Sequence, residues 1–233
     1  MNVKASTSAS PEFNSLMAKL PDGSPAKKQF AAMAEQMSVT AINQTLRRRF
    51  NYTDGLQSWS EMGLGDTEIG AKYNYYRGER LLSTFKGGVR VPTGRDNDPN
   101  QLMDYGFGDG QFDIGMYNYV DYSVLANAYL TFELGYVIQL PNTNTTRIPL
   151  SPDLAIGDTN LSVNRKLGDY WDAGVEANYT FLKNWTASSK YHFRQKFQDS
   201  YSGAGAMDAA LERNTDQIVH EGQFQLDRKS TRL

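Results

Sequence analysis

The most constraining feature of the chain is a stretch, residues 124–140, in which apolar residues recur at every second position. All of its even-numbered positions are apolar, whereas most odd-numbered positions carry polar residues or glycine, among them Thr131, Glu133 and Gln139. Because successive side chains of a β-strand point to opposite faces, this period of two predicts one long strand with an apolar and a polar face. A strand much longer than the roughly five or six residues usual in soluble proteins suits a wall between lipid and water.

The same alternation recurs in six other segments, so the sequence predicts seven strands in all. These segments are residues 68–75, 84–91, 111–116, 171–181, 185–194 and 218–226.

The connections between these strands alternate in length. Short turns are expected at residues 77–79, 121–123 and 182–184, with aromatic residues gathered near them. Long polar loops are expected at about residues 93–109, 141–167 and 200–214. Outer-membrane barrels sort their connections in this way, with short periplasmic turns, long extracellular loops and aromatic girdles. We therefore expect an all-β protein, an antiparallel up-and-down transmembrane β-barrel.

The domain organisation follows from the same pattern. We expect a loop region over residues 1–62 with one amphipathic helix at about 25–47, and barrel strands over residues 63–227. Bacterial single-chain barrels have an even number of strands, so seven predicts an incomplete barrel, a fragment that lacks its signal peptide and terminal strands. Residues 228–233 break the alternation and are expected to be a non-native tail.

The composition excludes several other classes of protein. A mean hydropathy of −0.57 is compatible with a barrel, because about half of each strand faces a polar lumen. A net charge of −2 gives no basic field for nucleic acid, and the absence of cysteine excludes disulfides and thiolate metal sites. The short acidic run at residues 96–98 lacks the spacing of a calcium loop and is expected to be a solvated loop.

The polar positions of the predicted strands supply the candidate lumen-lining residues. Both signs of charge are present, so these side chains either line a water-filled pore or interlock as ion pairs that fill it. His192 shares this face, but no nucleophile or metal-ligand pattern accompanies it, so no enzymatic activity and no cofactor are expected. The candidates are Glu68, Lys72, Lys86, Arg90, Asp113, Glu133, Asp172, Glu176, Lys190, His192, Arg194 and Glu221.

Four glycine-containing motifs at strand ends carry a family resemblance. They are GLGDTEIGAKY at 63–73, GVRVPTG at 88–94, GDGQFDIG at 108–115 and ELGY at 133–136. In this order they resemble the outer-membrane barrel transporters assigned to the meta-pathway of phenol degradation, a family similar to the long-chain fatty-acid transporters. The likeness covers roughly residues 60–200. It implies a transport-type barrel and identifies no substrate.

The leading functional hypothesis is an outer-membrane barrel that mediates passive passage of small hydrophobic or aromatic solutes. Its expected partners are membrane lipid, lipopolysaccharide and a small-molecule solute, and no nucleic acid. The alternative is a non-transporting structural or adhesion barrel of the outer membrane. A third possibility is a soluble lipocalin-like barrel, which would place Phe132 inward and Glu133 outward.

Overall fold

The computed structural model describes residues 2–3, 17–36, 38–153, 156–181 and 184–228. Two compact units make up the chain. Unit 1 comprises Met1–Gly65, Gly94–Asp109 and Thr145–Leu161, and unit 2 comprises Asp66–Thr93, Gly110–Asn144 and Ser162–Leu233.

Strands account for most of the regular structure among the described residues. The helices are α1 (Pro25–Gln36), α2 (Val39–Phe50) and α3 (Asp208–Glu212), with a 3₁₀ turn at Gly205–Met207. The strands are β1 (Asn2–Val3), β2 (Trp59–Ser60), β3 (Thr67–Arg77), β4 (Leu81–Val91), β5 (Asp113–Leu125), β6 (Ala128–Gln139), β7 (Asn142–Ile148), β8 (Thr159–Lys166), β9 (Tyr170–Phe181), β10 (Trp185–Lys196), β11 (Ser200–Ser202) and β12 (Gln217–Arg228).

Unit 2 is built on a seven-stranded antiparallel sheet. Its strand order, β12-β10-β9-β6-β5-β4-β3, follows the order of the chain, with β7 and β8 inserted between β6 and β9, and β11 between β10 and β12. The seven strands predicted from the period of two correspond one for one to these seven. The all-β, antiparallel prediction is therefore confirmed. Among the described residues the sheet is not closed, and β3 and β12 form its two edges.

The strand expected over residues 124–140 corresponds to β6, but its expected beginning at residue 124 is wrong. β5 continues to Leu125, Ala126 and Asn127 make a two-residue turn, and β6 begins at Ala128. Asparagine is a common turn residue, and the Asn127 side chain is held by a 2.9 Å hydrogen bond to the Thr180 carbonyl. The turn expected at residues 121–123 therefore lies a few residues later. With 12 residues, β6 is close to the roughly 9–11 residues that cross a bilayer.

Two of the expected long loops contain strands. β7 and β8 lie within residues 141–167, and β11 lies within 200–214; together they form a three-stranded sheet of order β11-β8-β7. The β7 sequence, NTNTTRI, is almost wholly polar and has no apolar face. A period-two search cannot find such a strand, because it detects the contrast between two faces.

The helix expected over residues 25–47 of unit 1 is divided into α1 and α2. Ser38 is extended, with φ −68° and ψ 150°, and its hydroxyl accepts a hydrogen bond from the Ala41 amide. It therefore starts a new helix as an N-cap, which the apolar spacing alone did not reveal. Met37 of the expected helix lies outside the described residues, as do residues 229–233 of the expected tail. Arg228 of that tail is the last residue of β12.

Arg147 ties several segments of unit 1 together. Its guanidinium donates to the carbonyls of Phe50 at 2.6 Å, Pro99 at 2.7 Å and Gly157 at 2.9 Å. It also lies 3.9 Å above the centre of the Tyr52 ring. A planar group with five donors in a fixed fork can satisfy several loop carbonyls at once. No helix among the described residues is long and apolar enough to cross a membrane.

A second arginine fixes the loop at residues 94–109 of unit 1. Arg95 donates from both terminal nitrogens to Asp104, each at 2.7 Å, and contacts Glu61 at 2.8 Å. The Asp104 side chain, 3% exposed, also accepts from the Asp98 amide at 2.6 Å. Hydrogen bonding from Arg95 holds the pKa of the Asp104 carboxyl below its usual value, against the opposing effect of burial.

This geometry predicts how the loop responds to pH. A carboxyl with a lowered pKa stabilises the folded loop above its unfolded pKa, about 3.9, and loses that contribution as pH falls through the lower folded value. We expect the Asp98 amide to stay protected from hydrogen exchange near pH 4, after correction for the intrinsic rate. Asp104→Asn should reduce protection at neutral pH by about fivefold, or roughly 1 kcal/mol.

The matched control is Asp96→Asn, since the Asp96 carboxylate accepts from the neighbouring Asn97 amide instead. Equal loss of protection at Asp98 in both variants would contradict the role given to Asp104.

Candidate functional site

The strand register places all of the candidate lumen-lining residues on one face of the seven-stranded sheet. Glu133 is opposite Gly174, Gly174 is opposite His192, and His192 is opposite Glu221. Directly opposed residues of antiparallel strands share a face, as do residues two apart on one strand. Applied across every pair of strands, this rule defines a polar face that contains the whole set and an apolar face behind it.

The two faces have the reverse of the usual exposure. On β6, Phe132 and Leu134 are 47% and 60% exposed, whereas the side chain of Glu133 between them is 16% exposed. Asp113 and Asp172 of the polar face are almost completely buried. Exposed large residues of the apolar face include Ile69, Tyr73, Phe85, Val89, Ile114, Met116, Val175, Tyr179, Tyr191, Ile218, Phe224 and Leu226.

Asp172 is a buried carboxylate of the polar face with three side-chain partners. It accepts from Arg194 through Nε at 2.7 Å and Nη2 at 3.2 Å. His192 Nε2 lies 3.3 Å from the same carboxylate, and the Tyr117 hydroxyl donates to it at 3.4 Å. The Arg194 guanidinium also lies 4.5 Å above the Tyr170 ring. A buried carboxylate needs such partners, because desolvation alone would strongly disfavour its charge.

Three further ion pairs cross between strands of the polar face. Lys86 Nζ lies 2.6 Å from Glu68 Oε1, and Arg90 Nη1 lies 3.1 Å from Asp113 Oδ2. Lys190 Nζ lies 3.7 Å from Glu133 Oε2.

The remaining candidates have neutral partners. The Asn178 amide donates to Glu176 at 2.9 Å, and the Gln223 amide donates to Glu221 at 2.6 Å. The Lys72 ammonium lies 5.4 Å from the centre of the Tyr119 ring. Each candidate thus contacts at least one neighbour, and the polar face is an interlocked network. Chemically, such a face can hydrogen-bond and orient a polar group.

The sequence-based set missed two tyrosines of this face. The third predicted strand stopped at residue 116, but β5 continues, and Tyr117 and Tyr119 keep the parity of Asp113. The alternation of polar and apolar positions weakens there because tyrosine counts as apolar. Tyr117 helps to line a small recess with Glu68, Lys86, Gly88, Arg90, Asp113, Gly115, Val137 and Tyr170.

The two histidines lie on opposite faces of the sheet. His192 joins the Asp172 cluster, whereas His220 is on the apolar face, where its Nδ1 lies 2.8 Å from the Tyr191 hydroxyl. Within the described ranges, no group of three or more histidine and acidic side chains is placed to hold a metal ion.

Comparisons with known proteins assign no family to this antiparallel β-sheet protein. The chain matches no protein-family model. A search of curated proteins likewise finds no match. The resemblance of the glycine motifs to aromatic-compound transporters of the outer membrane therefore stays a prediction.

The Asp172 cluster leads to a prediction about stability. Asp172→Asn leaves the Arg194 guanidinium without its carboxylate and should lower the free energy of unfolding by about 2 kcal/mol, given that Arg194 is partly exposed. Urea titration of the protein in detergent micelles, followed by tryptophan fluorescence, measures this loss. Glu221→Gln, at an exposed carboxylate of the same face, should change the stability by less than about 0.5 kcal/mol. Equal losses in the two variants would contradict a special role for Asp172.

Proposed function

We propose that this chain forms the wall of an outer-membrane β-barrel that mediates passive passage of small hydrophobic or aromatic solutes. In this proposal the apolar face contacts lipid, and the polar face lines the route of the solute. No covalent step, metal or cofactor takes part. The barrel contacts membrane lipid and lipopolysaccharide from outside and the solute from inside.

The inverted exposure of the two faces is the observation that carries the proposal. In a soluble sheet protein, large apolar side chains are buried and charges face water. Here Leu134 and Phe224 are 60% and 76% exposed, whereas Asp172 is 1% exposed. A large continuous apolar surface marks contact with a membrane or another partner. The lipocalin-like alternative requires the opposite arrangement.

Strand length and backbone pairing add support. The strands of the seven-stranded sheet are 11 to 13 residues long, which matches the roughly 9–11 residues needed to cross a bilayer at a tilt. They pair along nearly their full length. In lipid, backbone groups have no water to bond, so continuous ladders are required of any strand that spans it.

The structural or adhesion barrel remains the second candidate, because the charges of the polar face interlock. Ion pairs such as Arg194 with Asp172 fill space that a wide aqueous pore would leave open. The two candidates share the lipid-facing surface and differ only in whether solute crosses along the polar face.

The lipid contact can be tested with single tryptophans. We start from a variant in which Trp59, Trp171 and Trp185 are replaced by phenylalanine, and add either Phe132→Trp or Tyr119→Trp. Phe132 lies on the apolar face, and Tyr119 lies on the polar face opposite Glu133. In vesicles of phospholipid with brominated acyl chains, we expect at least twofold quenching at position 132 and little at position 119. No quenching at either position would support the soluble alternative, and quenching at 119 alone would contradict the assignment of the two faces.

Transport needs its own measurement. In planar bilayers, the protein should carry an ion current, and added phenol should reduce that current as it occupies the route. A membrane that stays sealed at all voltages, with position 132 still quenched by brominated lipid, would reject transport and favour the structural barrel.

A further inference from the structure

Three glycines lie side by side on the polar face. Gly70 of β3 is opposite Gly88 of β4, and Gly88 is opposite Gly115 of β5. A Cβ built at Gly88 would come within 3.1 Å of the Ile69 carbonyl oxygen and 3.3 Å of the Gly70 Cα. The backbones are therefore close together, and these three positions add no side chain of their own. The Tyr117 ring lies beside Gly115, 3.2 Å from a Cβ built there. Glycine at such positions permits the close approach of another group to the backbone.

Charged side chains border this row of glycines on both sides. Glu68, Arg90 and Asp113 form the adjacent row at one side, and Lys86 and Tyr117 belong to the adjacent row at the other. The 2.6 Å ion pair between Lys86 and Glu68 crosses from one row to the other. It can do so because Gly70 and Gly88, between the two rows, have no side chains in its path.

The recess at these glycines is small and partly open. Its volume is about 20 Å³, room for about one water molecule, so only the end of a solute can enter it. On one wall of the recess the accessible charge is that of Arg90, because its side chain is 36% exposed whereas that of its partner Asp113 is 3% exposed. Lys86, 27% exposed, lies four residues earlier on the same strand and the same face. A group that enters therefore meets these two cations together with Glu68, which also lines the recess.

We propose that Lys86 and Arg90 form a binding site for the carboxylate of a small solute, with Glu68 as the resident carboxylate that the solute replaces at Lys86. The 2.6 Å contact of Glu68 with Lys86 demonstrates that a carboxylate fits there. Glu68 is 48% exposed, and exposed ion pairs add little stability. A solute carboxylate can therefore replace Glu68 at Lys86 at a small cost in free energy. The site rests on the proposed function, since it assumes that the polar face lines the route of a solute.

Carboxylate is the group that this chemistry favours over a neutral or cationic one. The planar fork of arginine matches the geometry of a carboxylate, and the lysine ammonium adds a second charge-assisted hydrogen bond. An ammonium group could contact the exposed Glu68 carboxylate, but it would then lie beside both cations. Tyr117, whose ring lies 5.3 Å from the Lys86 ammonium, gives the recess an aromatic wall against which the remainder of the solute can rest.

Binding can be measured by ¹⁹F relaxation of trifluoroacetate, with the whole chain in zwitterionic micelles at low chloride. Trifluoroethanol is the neutral reference. We expect saturable broadening of trifluoroacetate alone. Lys86→Gln and Arg90→Gln should each weaken binding at least tenfold. Glu68→Gln should strengthen it severalfold, because it removes the competing carboxylate and leaves Lys86 without its counter-charge.

Lys190→Gln is the matched control, since Lys190 pairs with Glu133 on the same face and does not line the recess. Its binding of trifluoroacetate should equal that of the unmodified chain. Weaker or unchanged binding in Glu68→Gln, with a preserved circular dichroism spectrum, would overturn the proposal. So would tenfold loss in Lys190→Gln, or equal broadening of trifluoroethanol. Trimethylammonium that binds where trifluoroacetate does not would also overturn it.

These outcomes are separate from those of the proposed function. Lipid contact and ion current are measured on the unmodified polar face or on positions outside the recess. A barrel that conducts but does not bind trifluoroacetate would reject the site alone, and a sealed barrel would reject transport alone.

Discussion

The register between neighbouring strands decides which chemistry each face of the seven-stranded sheet presents. A slip of one residue at any pair would turn every side chain of a strand over and bring charges onto the exposed apolar surface. The pairing observed from β3 to β12 avoids this at every step. Where it shifts, between Asn74 and Tyr76 and between Ser123 and Leu125, the irregularity lies near a strand end.

The charges of the polar face reinforce that register. A carboxylate as buried as Asp172 is tolerable only while Arg194, His192 and Tyr117 lie within reach, and these partners come from β5 and β10. Their positions are fixed by the ladder between β9 and β10 on one side, and by the ladders of β6 with β9 and with β5 on the other. The network therefore resists sliding of three strands at once, even where the net contribution of each ion pair to stability is small.

The sequence predicts the elements of this sheet because every strand contrasts an apolar with a polar face. This contrast gives no signal where one of the two faces is missing, as in β7, which is almost wholly polar. At the turn between β5 and β6, Val124 and Leu125 extend the apolar pattern, and only Asn127 indicates the turn. The division of the expected helix at Ser38 results from N-capping by its side chain, which the spacing of apolar residues does not indicate.

The candidate site shows the same limit. The alternation of polar and apolar residues identified which residues lie on the polar face. The contacts between these residues depend on which strands pair and in which register, and alternation within one strand does not reveal that. Gly70, Gly88 and Gly115 lie in separate motifs, and only the register of three strands brings them together.

The order of the sheet has a directional consequence for its edges. Neighbouring strands alternate in direction, so β3 and β12, six steps apart, run the same way. A ladder between these two edges would be a parallel one, with slanted hydrogen bonds and a different alignment of side chains. A strand that pairs in the antiparallel manner with either edge must run opposite to both β3 and β12. A strand added in this manner at one edge therefore runs in the same direction as a strand added at the other edge.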